Sequence, residues 1–227
     1  KCAMRLGAED APKRISVTGA NLEQYLGVRR FLPDPLPASD QVGLVTGLAW
    51  TSVGGEVLDV ECSVVPGSGK LELTGNLGDV MKESCQAAVT YIRSRTSELG
   101  IDPAFHKNTD IHLHFPEGAV PKDGPSAGAA ICLCVVSALT NRPVRADIAM
   151  TGEITLRGRV LPIGGIQEKT MAALRAGIHE VLLPEDNVSD LAEMDPNVRN
   201  AVNFTAVSHM DQVLKKALRP AEEKVAE

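Results

Sequence analysis

Two apolar runs, VGLVTGLAWTSV (42–53) and EVLDVECSVV (56–65), flank the pair Gly54-Gly55. A glycine pair between two such runs predicts a β-hairpin, with the turn on the glycines. KLELTG (70–75) and the alternating DIHLHF (110–115) read as further strands, EVLLP (180–184) as a buried one and VNFTAV (202–207) as the last. RISVT (14–18) reads as a short strand near the start. Between these lie segments of helical period. In residues 79–100, Val80, Ser84, Ala88 and Ile92 recur four apart and Gly100 stops the run. Residues 126–140 are apolar on nearly every face, which predicts a central, buried helix. NLEQYLG (21–27), IQEKTMAALRAG (166–177) and MDQVLKKAL (210–218) complete the helices, the first two ended by Gly27 and Gly177. DIAMTGEITLRGRVLPIGG (147–165) predicts two short strands around Arg157-Gly158.

Strands in hairpins mixed with helices, without strict alternation, indicate an α+β domain whose sheet is covered by helices on at least one face. FLPDPLPASD (31–40) carries three prolines and reads as an irregular loop. Residues 1–14 read as a linker, 15–218 as the domain and 219–227 as a tail. The opening lysine marks the chain as a piece of a longer protein.

Composition narrows the function classes. The net charge of -6, with no dense Lys/Arg run, argues against nucleic acid as a partner. The longest apolar stretch, Ala127 to Val136, is too short to span a membrane. Five cysteines, an odd number without a C-x-x-C pair, fit neither a disulfide framework nor a zinc ribbon and suit a reducing compartment.

The candidate chemistry lies in PKDGPSAGAA (121–130). Gly124 and Gly128 allow close backbone approach, Pro125 suits a first helical turn, and Ser126 falls at or near the start of the buried helix. Free backbone N–H groups and the positive end of the helix dipole converge there. An oxyanion beside Ser126 would meet the N–H of Ser126 and one from Asp123 or Gly124. On this loop by itself, a helix cap is the better-supported role for the serine.

A nucleophile would need a base. His112 and His114 share one face of a strand and, with Asp123, could compose a Ser-His-Asp set. Cys132 and Cys134 sit well inside the buried helix and are read as inert. Lys169 stands on the edge of an apolar stripe, followed by Ala172, Ala173 and Ala176 near a helix start. Desolvation and positive potential would both lower its pKa toward the range a general base needs. A lysine whose stem covers apolar surface while its ammonium reaches water is the simpler alternative.

PKDGPSAG and TGEITLRGRVLPIGGIQEK resemble the nucleophile and lysine segments of the proteolytic domain of Lon, the ATP-dependent AAA+ protease, in its A-type branch. The likeness extends from NLEQYLGVRRF to VLKKAL and includes GLAWTSVGG, GKLELTGNLGDVMKES and HLHFPEG. The resemblance implies a compact α+β domain similar to the second domain of ribosomal protein S5, acting as an endopeptidase on unfolded or damaged proteins. It implies Ser126 as nucleophile and Lys169 as base in a Ser-Lys dyad. Thr151 would hold the lysine, Asp123 would be the loop aspartate linked to active and inactive loop conformations, with Gly124 beside it, and His114 and Trp50 would support the site. It also implies polypeptide substrates, a six-membered ring that is weak for this piece, and a bacterial cytoplasmic location, with mitochondrial matrix and peroxisome as alternatives. No metal or organic cofactor is implied here. ATP and magnesium would belong to an upstream ATPase module, since PGSGKLEL (66–73) lacks the first glycine and the Ser/Thr of a phosphate loop. The rival from another class is an S5-like binding module without catalysis.

Overall fold

A computed structural model describes residues 1–8, 12–28, 37–51 and 54–220. Two units are distinguished, Lys1–Asp34 and Pro35–Glu227. In the first, the helices α1 (Cys2–Leu6) and α2 (Leu22–Leu26) are joined by a hydrogen bond from Arg5 Nη1 to the Tyr25 hydroxyl, 3.3 Å. RISVT takes no strand form, and it has no strand neighbour among the described residues. A single short apolar alternation without a pairing partner leaves its backbone groups to other structure. The proline-rich loop falls largely outside the described residues.

The second unit runs β1 (Leu44–Thr51), β2 (Gly54–Pro66), β3 (Leu71–Thr74), α3 (Asp79–Ser94), α4 (Thr96–Leu99), α5 (Phe105–Asn108), β4 (Thr109–His114), α6 (Gly128–Thr140), β5 (Ile148–Met150), β6 (Glu153–Ile154), β7 (Val160–Leu161), α7 (Ile166–Ala176), β8 (Glu180–Pro184), α8 (Pro196–Ala201), β9 (Asn203–Val207) and α9 (Met210–Ala217). A 3₁₀ segment, Glu185–Ala192, links β8 to α8. Seven strands form one mixed sheet in the order β3-β4-β2-β1-β5-β8-β9, and β6 pairs with β7 around Arg157-Gly158.

Strand alternation sends successive side chains of β1 to opposite faces. Val45 and Ala49 join the main core around α6, whereas Leu48 joins Ala173 of α7 in a second cluster. The sheet is therefore covered on both faces at its centre, which explains why β1 reads as a continuous apolar run. Every residue of α6 from Gly128 to Ala138 is buried, as its all-round apolar pattern requires. Cys134 donates its thiol to the carbonyls of Gly43 and Val60, both 3.2 Å away, and burial pushes the Cys132 and Cys134 thiols far up. All five cysteines are free.

Two details differ from expectation. The helical run 79–100 is interrupted at Arg95, and the buried face of α3 is Met81, Ser84, Cys85, Ala88, Tyr91 and Ile92, with Val80 turned outward. Gly54 and Gly55 are strand residues, paired with Thr51 and Trp50, so the turn expected on the glycine pair does not fall there. Gly55 is required for packing: a side-chain carbon there would lie 2.0 Å from the Glu168 carbonyl of α7.

Candidate active site

Ser126 lies in a turn two residues ahead of α6, whose N-cap is Ala127 and which receives no side-chain cap bond. The capping role, plausible from the loop by itself, is therefore not the one Ser126 fills. Its carbonyl accepts hydrogen bonds from the Gly152 N–H, 2.8 Å, and the Thr151 hydroxyl, 3.3 Å. The loop is thus tied to the end of β5, and in return the Ala129 N–H donates to Gly152 O, 2.9 Å. These bonds hold the serine backbone while its hydroxyl makes no hydrogen bond among the described residues.

Lys169 is 1% exposed, and its Nζ donates to Thr151 Oγ1 at 3.0 Å. Burial lowers its pKa from 10.5 to about 8. The snorkelling alternative fails on this exposure, because an ammonium that reached water would remain accessible. One hydroxyl therefore touches both the lysine amine and the serine backbone. Thr151 can do this because a hydroxyl accepts through its lone pairs while donating its one proton. Its position is fixed by β5, and its N–H donates to Leu182 O of β8, 3.1 Å.

The start of α7 explains how a lysine is kept inside. Gly165 adopts φ 74°, and a side-chain carbon on it would sit 2.5 Å from the Trp50 indole. Trp50, half exposed at the end of β1, thus lies against the turn that leads to Lys169. Farther along, Arg175 Nη2 donates to Gly55 O of β2 at 2.5 Å.

The other expected residues make contacts of their own. Asp123 Oδ1 accepts from the Met81 N–H in the first turn of α3 and from the Gly124 N–H, both 2.9 Å. It serves as a cap supplied from a distant loop, and it occupies the Gly124 donor. His112 Nε2 and His114 Nδ1 both meet the Thr74 hydroxyl, at 2.9 and 2.6 Å. They line a groove of about 680 Å³ with residues such as Gly43, Glu61 and Cys62. No described contact joins them to Thr151 or Lys169. Among the described residues, no three His, Cys, Asp or Glu side chains are placed to hold a metal ion, and no helix is long and apolar enough to cross a membrane. Asn187 was not among the residues expected from sequence: it lies in a polar segment without periodicity, yet it is buried beside the turn before α7.

Fold and site together define an α+β domain that buries a lysine amine of lowered pKa beside a hydroxyl-bearing loop. Residues 16–220 match the family described as the Lon protease (S16) C-terminal proteolytic domain, and the chain belongs to that family. It is 58% identical over 206 residues to the Lon protease of Heliobacterium modesticaldum, covering 91% of this chain and 25% of that protein. With the Lon protease of Brevibacillus choshinensis it shares 58% over 206 residues, 91% of this chain and 26% of that protein. With Lon protease 1 of Bacillus subtilis it shares 55% over 218 residues, 96% of this chain and 28% of that protein. The chain therefore spans about a quarter of the length of these relatives.

Proposed function

We propose that this domain hydrolyses peptide bonds through a Ser-Lys dyad. The observation that carries the reading is Lys169, buried, lowered to a pKa of about 8 and held by the same hydroxyl that holds the Ser126 backbone. At pH 7 about one such lysine in ten is neutral, and at pH 8 about half, so a base is present in the working range. Neutral Lys169 takes the proton of Ser126 Oγ as that oxygen attacks the peptide carbonyl. The tetrahedral oxyanion is received by backbone donors at the loop, beginning with the Ser126 N–H. The Gly124 N–H becomes available when Asp123 releases it. Protonated Lys169 then gives its proton to the leaving amine and an ester to Ser126 remains. Water, deprotonated by the same lysine, cleaves that ester and restores the serine.

Thr151 orients the amine in place of the carboxylate that a histidine base would use. His114 and Trp50 take no proton in this scheme. Membership in the family supports the wider reading: an ATPase module on the same full-length chain, using ATP and magnesium, would deliver unfolded polypeptides to a six-membered ring in the bacterial cytoplasm. This domain would need no cofactor of its own and would bind neither nucleic acid nor membrane.

The test is a pair of variants assayed on a fluorogenic peptide. Ser126→Ala and Lys169→Arg should both be inactive with their folds intact, since arginine keeps the charge yet cannot deprotonate. Turnover by Lys169→Arg would move the base elsewhere, activity in Ser126→Ala would move the nucleophile elsewhere, and no cleavage by the unaltered protein would leave the S5-like binding module as the better reading.

A further inference from the structure

We propose that Asn187 is a positioning residue for Lys169: by clamping the backbone of Ile163 it fixes the start of α7 and so the place of the lysine amine at Thr151. This rests on Lys169 acting as the base.

Asn187 lies in the 3₁₀ segment after β8 and is 4% exposed. Its Oδ1 accepts from the Ile163 N–H and its Nδ2 donates to the Ile163 carbonyl, both at 2.9 Å. The second proton of Nδ2 goes to Asp190 Oδ2 at 2.7 Å. The amide thus meets both backbone groups of one residue, as a neighbouring strand would. Asp190 fixes its orientation, because a carboxylate can only accept from the nitrogen end.

The connection from Ile163 to α7 is short and stiffly bounded. Gly164 and Gly165 lead into the helix, and the Lys169 N–H donates to Gly165 O at 3.0 Å in its first turn. The Trp50 ring bounds Gly165 on one side, and Gly55 abuts the Glu168 carbonyl on another. A glycine pair has wide backbone freedom, so the direction from which it leaves Ile163 must be set outside it. The clamp supplies that direction. It reaches no reacting atom and acts only through the helix.

Loss of ordinary packing would lower stability and leave Lys169 unchanged in the folded molecules. Loss of positioning would separate the amine from Thr151 and admit water, and the lysine would titrate nearer its ordinary value. Burial is the cause of the present depression. Among the described residues, Lys169 forms no ion pair with Glu168 of its own helix, Glu56 of β2, or Glu185 or Asp190 of the 3₁₀ segment, and neither these carboxylates nor the like charges of Arg175 on its own helix and Arg199 of α8 contribute to the depression.

The primary experiment is an NMR titration of the lysine side chains in the Ser126→Ala protein, with and without Asn187→Ala, assigning Lys169 by its Lys169→Arg loss. The midpoint of Lys169 should rise by roughly one unit or more in the Asn187→Ala protein. With Ser126 restored, Asn187→Ala should lower kcat roughly tenfold or more, keep KM within about twofold, and shift the acidic limb of the rate profile in the same direction. Asn187→Leu keeps the volume and removes both hydrogen bonds to Ile163, and should show the same changes if Asn187→Ala fails to fold. A folded variant with an unmoved Lys169 midpoint overturns the inference. Activity in Lys169→Arg would instead remove the base reading, while the titration would still report whether Asn187 places the amine.

Discussion

Replacing Lys169 with methionine should make the domain more stable at neutral pH while abolishing peptide cleavage. Methionine keeps the length of the buried stem and removes the charge. The shift from 10.5 to about 8 corresponds to roughly 2.5 units, or about 3 kcal/mol of penalty on the charged form. Loss of the hydrogen bond to Thr151 returns about 1 kcal/mol of that. A net gain of about 2 kcal/mol remains, equivalent to a rise of roughly 4–8 °C in Tm for a domain of this size. The pH dependence has a definite sign. Below about 8 the lysine is protonated in both states and the penalty is complete. Between about 8 and 10.5 the unfolded chain still holds a proton that the folded chain has released, so the parent protein gains stability as pH rises. Above 10.5 the penalty is gone and the methionine variant should be the weaker by its missing hydrogen bond. Urea denaturation of both proteins at several pH values measures the gap directly, with other titrations cancelling in the difference. A methionine variant that is less stable at pH 7, or a gap that stays constant from pH 7 to 10.5, would refute the claim that Lys169 carries an uncompensated buried charge.

Thr151→Val keeps the shape at the end of β5 and removes the hydroxyl that receives Lys169. Turnover should fall roughly tenfold or more while circular dichroism is unchanged, and an unaltered rate would assign Thr151 to packing. Asp123→Ala should cost about 1 kcal/mol through the first turn of α3, read as a lower denaturation midpoint, because the Met81 N–H loses its acceptor. No change in that midpoint would mean that water replaces the carboxylate without loss.

Several parts of the molecule were legible in the chain because they rest on local rules. The buried helix α6 follows from its lack of a polar face, the ends of α2 and α7 from Gly27 and Gly177, and the β6–β7 pair from Arg157-Gly158. Lys169 was readable as unusual because small residues come after it at helical spacing. Other features depend on contacts between distant segments. Gly55 looks like a turn glycine in sequence, yet its lack of a side chain admits the Glu168 carbonyl. Asp123 reads as part of the serine loop, but that its acceptor oxygen serves the Met81 N–H of α3 as well as the Gly124 N–H depends on a contact between distant segments. His112 and His114 do share a strand face, but that face leads to Thr74. RISVT alternates like a strand without a described neighbour to pair with. Asn187 carries no local signature, since an asparagine in a polar stretch resembles any surface turn until Ile163 is seen beside it.

The sheet order has a bearing on the timing of synthesis. Thr151 stands at the end of β5, which is parallel both to β1, made about a hundred residues earlier, and to β8, made after Lys169. Ser126 leaves the ribosome before Lys169, and the Thr151 backbone is not secured until Leu182 arrives. Parallel pairings between distant segments also form late, because long loops must close before they are rewarded. On the proposed chemistry, a nascent or half-folded copy would carry a serine with no base, and would be harmless to the polypeptides around it and to itself. Cleavage would begin only when the last parallel strands have docked, so that completion of folding acts as the safety catch of the enzyme.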